Sequence, residues 1–100
     1  MSDSPPAVFI IAVPKFPLGR LVATPNALAS IPETEIQIAL GRHVSGDWGT
    51  LDKEDSNAND RALKHGGRLF SQYYSAKNVK FWIITEWDRS VTTVLLPDDY

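Results

Sequence analysis

From Ala7 onward short apolar runs alternate with polar breaks, and the period of the pattern changes along the chain. Ala7-Val8-Phe9-Ile10-Ile11-Ala12-Val13 is an unbroken, β-branched run of strand length, which predicts a buried strand. Pro14 and Pro17 follow and interrupt any hydrogen-bonded ladder. Leu18 to Ala23 reads as a second strand. Thr24-Pro25 puts a hydroxyl at an N-cap ahead of Pro at the first helical position, which predicts a short helical turn over Asn26 to Ala29. Ser30 and Glu33 have capping-box spacing. Ile36, Ala39, Leu40 and His43 then fall at i, i+3, i+4 and i+7, so residues 31–44 are predicted to be a helix.

Ser45-Gly46-Asp47-Trp48-Gly49 reads as a loop. A further helix is predicted from Leu51 or Asp52 to His65, with acids in its first turn, bases in its last and Gly66 as its stop. Its apolar face (Leu51, Ala58, Ala62, Leu63) is thin, so it should lie on the surface. The period then falls to two. Strands are predicted over 68–75, 79–86 and 91–96, separated by turns at Ala76-Lys77-Asn78 and Trp87-Asp88-Arg89-Ser90 and ended by Pro97. Connections this short favour antiparallel pairing. The expected architecture is α+β: a mostly antiparallel sheet, centred on a C-terminal three-strand meander, with two main helices on one face. Whether the N-terminal strands join that sheet stays open at this level.

Composition narrows the class. One hundred residues fit a single domain, with residues 1–6 a loose tail, and a chain this size buries roughly two-thirds of its unfolded surface. Ten per cent aromatic residues, three of them Trp, supply a core. The absence of cysteine excludes a disulfide scaffold, a thiolate metal site and an iron–sulfur cluster. The first residues carry no basic n-region and the longest apolar run is too short to span a bilayer, so the expectation is a cytoplasmic protein with no membrane partner. A net charge of −2 weighs against nucleic acid as a partner. His43 and His65, with no ligand spacing around them, do not form a metal set, and no phosphate-binding loop or Gly-x-Ser-x-Gly occurs; no cofactor is expected.

About four-fifths of the chain, Leu18 to Tyr100, resembles a family of small bacterial proteins labelled plasmid-related. The resemblance rests on Leu21-Val22-Ala23-Thr24-Pro25 with Ala27-Leu28, on His43 with Gly46-Asp47-Trp48-Gly49 and Leu51-Asp52, and on Asn59-Asp60 with Ala62-Leu63-Lys64, Gly66 and Arg68-Leu69. Its most specific part is Lys80-Phe81-Trp82-Ile83-Ile84-Thr85-Glu86, Asp88-Arg89-Ser90-Val91-Thr92-Thr93, Leu95-Leu96-Pro97 and Tyr100. It implies a gene carried on plasmids, prophages and islands, and it brings no catalytic residues. Some relatives bear the label of a type I restriction methylase subunit. This chain has no Gly-x-Gly for the methylase cofactor and no Asn/Asp-Pro-Pro-aromatic segment, so the label does not transfer.

Two constellations carry candidate chemistry. The first is that of a small metal-independent ribonuclease: His43 and His65 as acid and base, Arg68 and Arg89 on phosphate, and Ser90, Thr92, Thr93 or Tyr100 positioning it. Helices followed by an antiparallel sheet look like the barnase- and RelE-type nucleases at the level of fold alone. Against this, His43 on an apolar stripe reads as a core histidine and His65 as a dipole partner. Beside that constellation, the turn Thr85-Glu86-Trp87-Asp88-Arg89-Ser90, followed by Thr92-Thr93, offers a charged, hydroxyl-rich binding tip, against which Asp88 with Ser90, and Glu86 or Asp88 with Arg89, read as ordinary turn and surface pairs.

The second is acidic. Asp47, Asp52, Glu54, Asp55 and Asp60 stand against the single base Lys53, beside Trp48. Such a surface suits the basic groove of a nucleic-acid-handling complex, although a solvated helix face has the same composition. The favoured expectation is therefore a non-enzymatic accessory protein of mobile DNA. It would bind a protein partner, such as a host nuclease or CRISPR-type defence complex, through Asp47, Trp48, Asp52, Glu54 and Asp55, with Trp48 as anchor. The alternatives are the ribonuclease and a self-associating homodimer.

Overall fold

The computed structural model describes residues 14–100. The predicted strand Ala7–Val13 and the tail 1–6 lie outside the described residues. The elements run β1 (Arg20–Ala23), α1 (Pro25–Ser30), α2 (Glu33–Val44), α3 (Lys53–His65), β2 (Leu69–Tyr74), β3 (Lys80–Thr85) and β4 (Val91–Leu95), with a closing 3-10 turn at Pro97–Asp99. Among the described residues no helix is long and apolar enough to cross a membrane.

The helix starts follow local chemistry. Thr24 Oγ1 accepts the Ala27 N–H at 3.1 Å with Pro25 behind it, and Asp52 Oδ1 accepts the Asp55 N–H at 2.8 Å. Gly66 ends α3 at φ 87°, a conformation open to Gly without strain. The Ser30/Glu33 capping box does not form. Pro32 is the N-cap of α2 and makes no side-chain cap, because the α1 turn carries Ser30 away and the fixed φ of Pro32 begins the new helix. Glu33 instead accepts from Gln37 within the helix.

The four strands form one sheet in the order β1-β4-β3-β2, and the architecture is α+β. β2–β3 and β3–β4 are antiparallel, as their short turns dictate. β1 pairs parallel to β4, Leu21 opposite Thr92 and Ala23 opposite Val94. The whole helical region separates these two strands, and such a crossover permits parallel pairing.

Alternation sends Leu69, Ser71 and Tyr73, Phe81, Ile83 and Thr85, and Thr92 and Val94 to one buried face. Ala27, Ile31, Ile36, Ala39 and Leu40 from α1 and α2 cover Tyr73, Phe81, Ile83 and Val94. Phe16, Trp48 and Leu69 form a second cluster under Leu51, Ala62 and Leu63, which brings in α3.

The free edge of β2 is closed by polar contacts. Asn59, buried in mid-helix, donates its amide N–H to the Phe70 carbonyl and accepts the Phe70 N–H at 3.0 Å. One residue pair further on, Gln72 N–H donates to Trp48 O at 3.1 Å and Thr50 N–H to Gln72 O at 2.8 Å. Gly49 sits between them at φ 79°, and a Cβ there would collide with the Gln72 carbonyl. An edge strand that would otherwise template pairing is thus capped at Phe70 and Gln72. Asn59→Ala orphans both Phe70 groups and is expected to lose about 2 kcal/mol in urea unfolding. Asn59→Asp keeps the acceptor but sets a carboxylate oxygen against the Phe70 carbonyl, so it should be no more stable than Asn59→Ala, and an unchanged Asn59→Ala midpoint would remove the clamp from this account.

Candidate functional site

His43 is fully buried. Its imidazole meets hydroxyls on two adjacent strands rather than solvent, and reaches a third strand through the second of them. Nδ1 lies 2.5 Å from Ser71 Oγ on β2 and Nε2 lies 2.9 Å from Thr85 Oγ1 on β3. Thr85 Oγ1 lies 2.7 Å from Thr92 Oγ1 on β4, and the Thr92 hydroxyl donates to Leu18 O at 2.7 Å.

The last bond orders the rest. A carbonyl only accepts, so the Thr92 proton is committed, Thr85 must donate to Thr92, and His43 Nε2–H must donate to Thr85. Nδ1 is then the acceptor of the Ser71 proton. His43 is held as a neutral tautomer with every polar atom satisfied. Burial, and secondarily the charge of Arg89, lower its pKa to about 4. Phe16 and Trp48 close over the ring edge-on, at 5.3 and 5.6 Å between centroids. The arrangement has the partners of an activated serine and none of the access.

The remaining members of the nuclease constellation are dispersed. His65 is exposed at the end of α3. Arg68 is exposed, donates to the Tyr100 hydroxyl at 2.5 Å and pairs with Glu86 at 3.2 Å. Ser90 N–H donates to Asp88 Oδ1 at 3.0 Å, the turn device expected of this pair. Arg89 departs from its expected roles: among the described residues it pairs with no carboxylate, and its guanidinium is spent on backbone carbonyls. In the left-handed region at φ 60°, it donates to the carbonyls of Gly67, Glu86, Trp87 and Ala62 and lies over the Phe16 ring. It pins the β3–β4 turn to the end of α3. The acid, base and phosphate cation of the nuclease reading are not brought into one cleft.

The acidic constellation divides in two. Trp48 is 4% exposed, donates its Nε1–H to Asp60 at 3.0 Å and stacks on Phe16, so it is a core residue and cannot be an exposed anchor. The apolar pull of Leu69 and Phe16 outweighs its place in a polar loop. Asp47 is neutralised by a two-point contact with Arg42, 2.7 and 3.2 Å, and also accepts the Gly49 N–H; the Arg42 bond holds its carboxyl below the usual range. Asp52 caps α3 while remaining exposed. Glu54 and Asp55 are exposed, and among the described residues no cation stands within ion-pair distance of them. Besides Tyr100, which Arg68 holds, the exposed aromatic of this region is Trp87, 71% exposed in the turn that Arg89 fastens to α3. Its polar neighbours Glu86, Asp88 and Arg89 were the available sequence signal, because an aromatic in a charged turn has no strand face to fill.

Among the described residues no three His, Asp or Glu side chains are grouped to hold a metal ion. Compared with models of known families, with characterised proteins and with solved structures, the chain matches none.

Proposed function

We propose that this chain is an accessory protein of mobile DNA that acts by binding another protein, and that the partner is a nucleic-acid-handling complex of a host defence system. The observation that carries the reading is the outer side of α3. Asp52, Glu54 and Asp55 stand exposed at one end with two of the three carboxylates uncommitted, and Trp87 stands exposed beside the other end.

A helix of 13 residues spans about 20 Å, a separation that one partner with an interface of standard size can bridge. Trp is the residue type most often dominant in such interfaces. The free negative charge favours a basic docking groove, where it speeds encounter and sets orientation. The resemblance to plasmid-related proteins supports the setting.

The test is retention of the partner from a bacterial lysate on the tagged chain, with salt titration. Glu54→Lys with Asp55→Lys is expected to weaken retention at least about tenfold, and Trp87→Ala by a similar factor, with thermal stability lowered by no more than about 1 kcal/mol. The charge pair should also flatten the salt dependence. Retention indifferent to both substitutions would exclude this surface.

A further inference from the structure

The described helices pack on the sheet face that carries Leu69, Tyr73, Phe81, Ile83 and Val94. The opposite face has an aromatic layer of its own. Paired residues share a face, so Phe70 stands beside Ile84 and Thr93, Trp82 beside Leu95, and Tyr74 beside Lys80. Trp82 meets Phe70 and Tyr100 edge-on, at 5.0 and 6.0 Å between centroids, and donates its Nε1–H to Gln72 at 3.0 Å. Ile84 and Leu95 are buried on this face, and covering them accounts for the half-buried Phe70 and Trp82. It does not account for Tyr74 and Tyr100, which are 44% and 70% exposed.

A cation lies over each of these two rings. The Arg68 guanidinium is 5.4 Å from the Tyr100 ring centre, and the Lys80 ammonium is 5.8 Å from that of Tyr74. Arg20 joins them on this face, in register with Val91. All three cations are exposed. Of the acids nearby, Glu86 is paired with Arg68, and Asp99 at the rim is engaged by Thr24, Asn26 and the Leu96 N–H, while Asp98 beside it is exposed. The net charge of −2 is therefore unevenly spread: α3 begins negative, and the aromatic sheet face is positive.

We infer that this face binds single-stranded nucleic acid, with bases stacked on Tyr100 and Tyr74 and phosphates held by Arg20, Arg68 and Lys80. Stacking on a ring is indifferent to base identity, and a cation beside each ring meets the backbone of the stacked nucleotide. The sheet face presents no helix or ribbon to enter a duplex groove, whereas the unpaired bases of a single strand lie against it. From Arg68 to Tyr74 the face runs about 20 Å along β2, room for several nucleotides. A second copy is the poorer occupant, because a two-fold contact would set these cations against themselves. The inference does not depend on the acidic end of α3.

Fluorescence anisotropy of a labelled oligothymidylate of about 12 nucleotides, with the full chain at about 50 mM salt, tests this. Half-saturation is expected below about 100 µM, at least about tenfold tighter than for a duplex of the same length. Tyr74→Ala with Tyr100→Ala should weaken binding at least about tenfold, with the thermal midpoint showing that the fold is kept. Arg20→Glu with Lys80→Glu should lower the slope of log affinity against log salt by about 1.4, since each lost phosphate contact removes about 0.7. Glu54→Lys with Asp55→Lys should not weaken binding. No binding at about 100 µM, a duplex held as tightly as the single strand, or affinity indifferent to the tyrosine pair would overturn the inference. So would polyglutamate that competes as well as unlabelled oligothymidylate, which would make an acidic protein segment the occupant. A dimer broken by the tyrosine pair would overturn it in favour of a second copy.

Discussion

Lowering the pH from 6.5 to 4 is expected to remove about 3 kcal/mol of folding stability, and His43 is the group responsible. The sign follows from the two pKa values. In the unfolded chain His43 takes a proton near pH 6.5; in the folded chain burial holds it neutral down to about 4. Between those values the unfolded state binds a proton that the native state refuses, so stability rises with pH across the window. The contribution is complete above about 6.5 and is lost as the pH falls toward 4.

The carboxylates act elsewhere. Asp47, bonded by Arg42, Asp88, bonded by Ser90, and Asp99, bonded by Thr24 and Asn26, are held below the ordinary carboxylate value of 3.8, so their contributions are lost only below pH 4. Urea unfolding at half-unit pH intervals reads the slope. His43→Gln keeps hydrogen-bonding groups toward Ser71 and Thr85 and should flatten it. His43→Ala should flatten it too, at a cost of about 4 kcal/mol at pH 7 for the cavity and the hydroxyls left without a partner. A slope that survives in His43→Gln would mean that another group titrates in this window.

Arg89→Ala is expected to cost about 3 kcal/mol, the second large effect. Its guanidinium gathers four carbonyls from three segments, and one of them, Ala62 O, lies in the last turn of α3, where the helix dipole is negative. Truncation removes these side-chain bonds, leaving Glu86 O only the Arg89 backbone N–H, while the backbone keeps its left-handed strain. Arg89→Gly loses the same bonds and relieves the strain, so it should be about 1 kcal/mol more stable than Arg89→Ala. Arg89→Lys should not restore the wild-type midpoint, because one ammonium cannot span the fork. Thermal and urea midpoints order the four proteins. A wild-type midpoint for Arg89→Ala would return this side chain to the list of free surface cations.

Residues near one another in the chain were legible without coordinates. Thr24-Pro25 announced α1, because its cap bond reaches only three residues ahead. The Ile36, Ala39, Leu40 and His43 stripe marked the buried face of α2, because helical period is a local property. Gly66 marked the end of α3, and the two-residue alternation after it marked β2 to β4 and their inner face. Even the turn bond from Ser90 to Asp88 was readable, since it spans two residues.

The candidate sites were less legible, because burial and pairing depend on partners far along the chain. Trp48 sits between glycines in a polar loop, yet Phe16 and Leu69 bury it. Arg89 resembles a free cation until the end of α3 arrives beneath it. The parallel pairing of β1 with β4 has no local signal at all. Local sequence thus determined the elements, the Thr24 cap and the inward faces, since those follow from backbone geometry within a few residues. Only the tertiary structure decided which polar groups are spent inside and which stand free, since each long-range bond satisfies or desolvates a group whose partner is dozens of residues away.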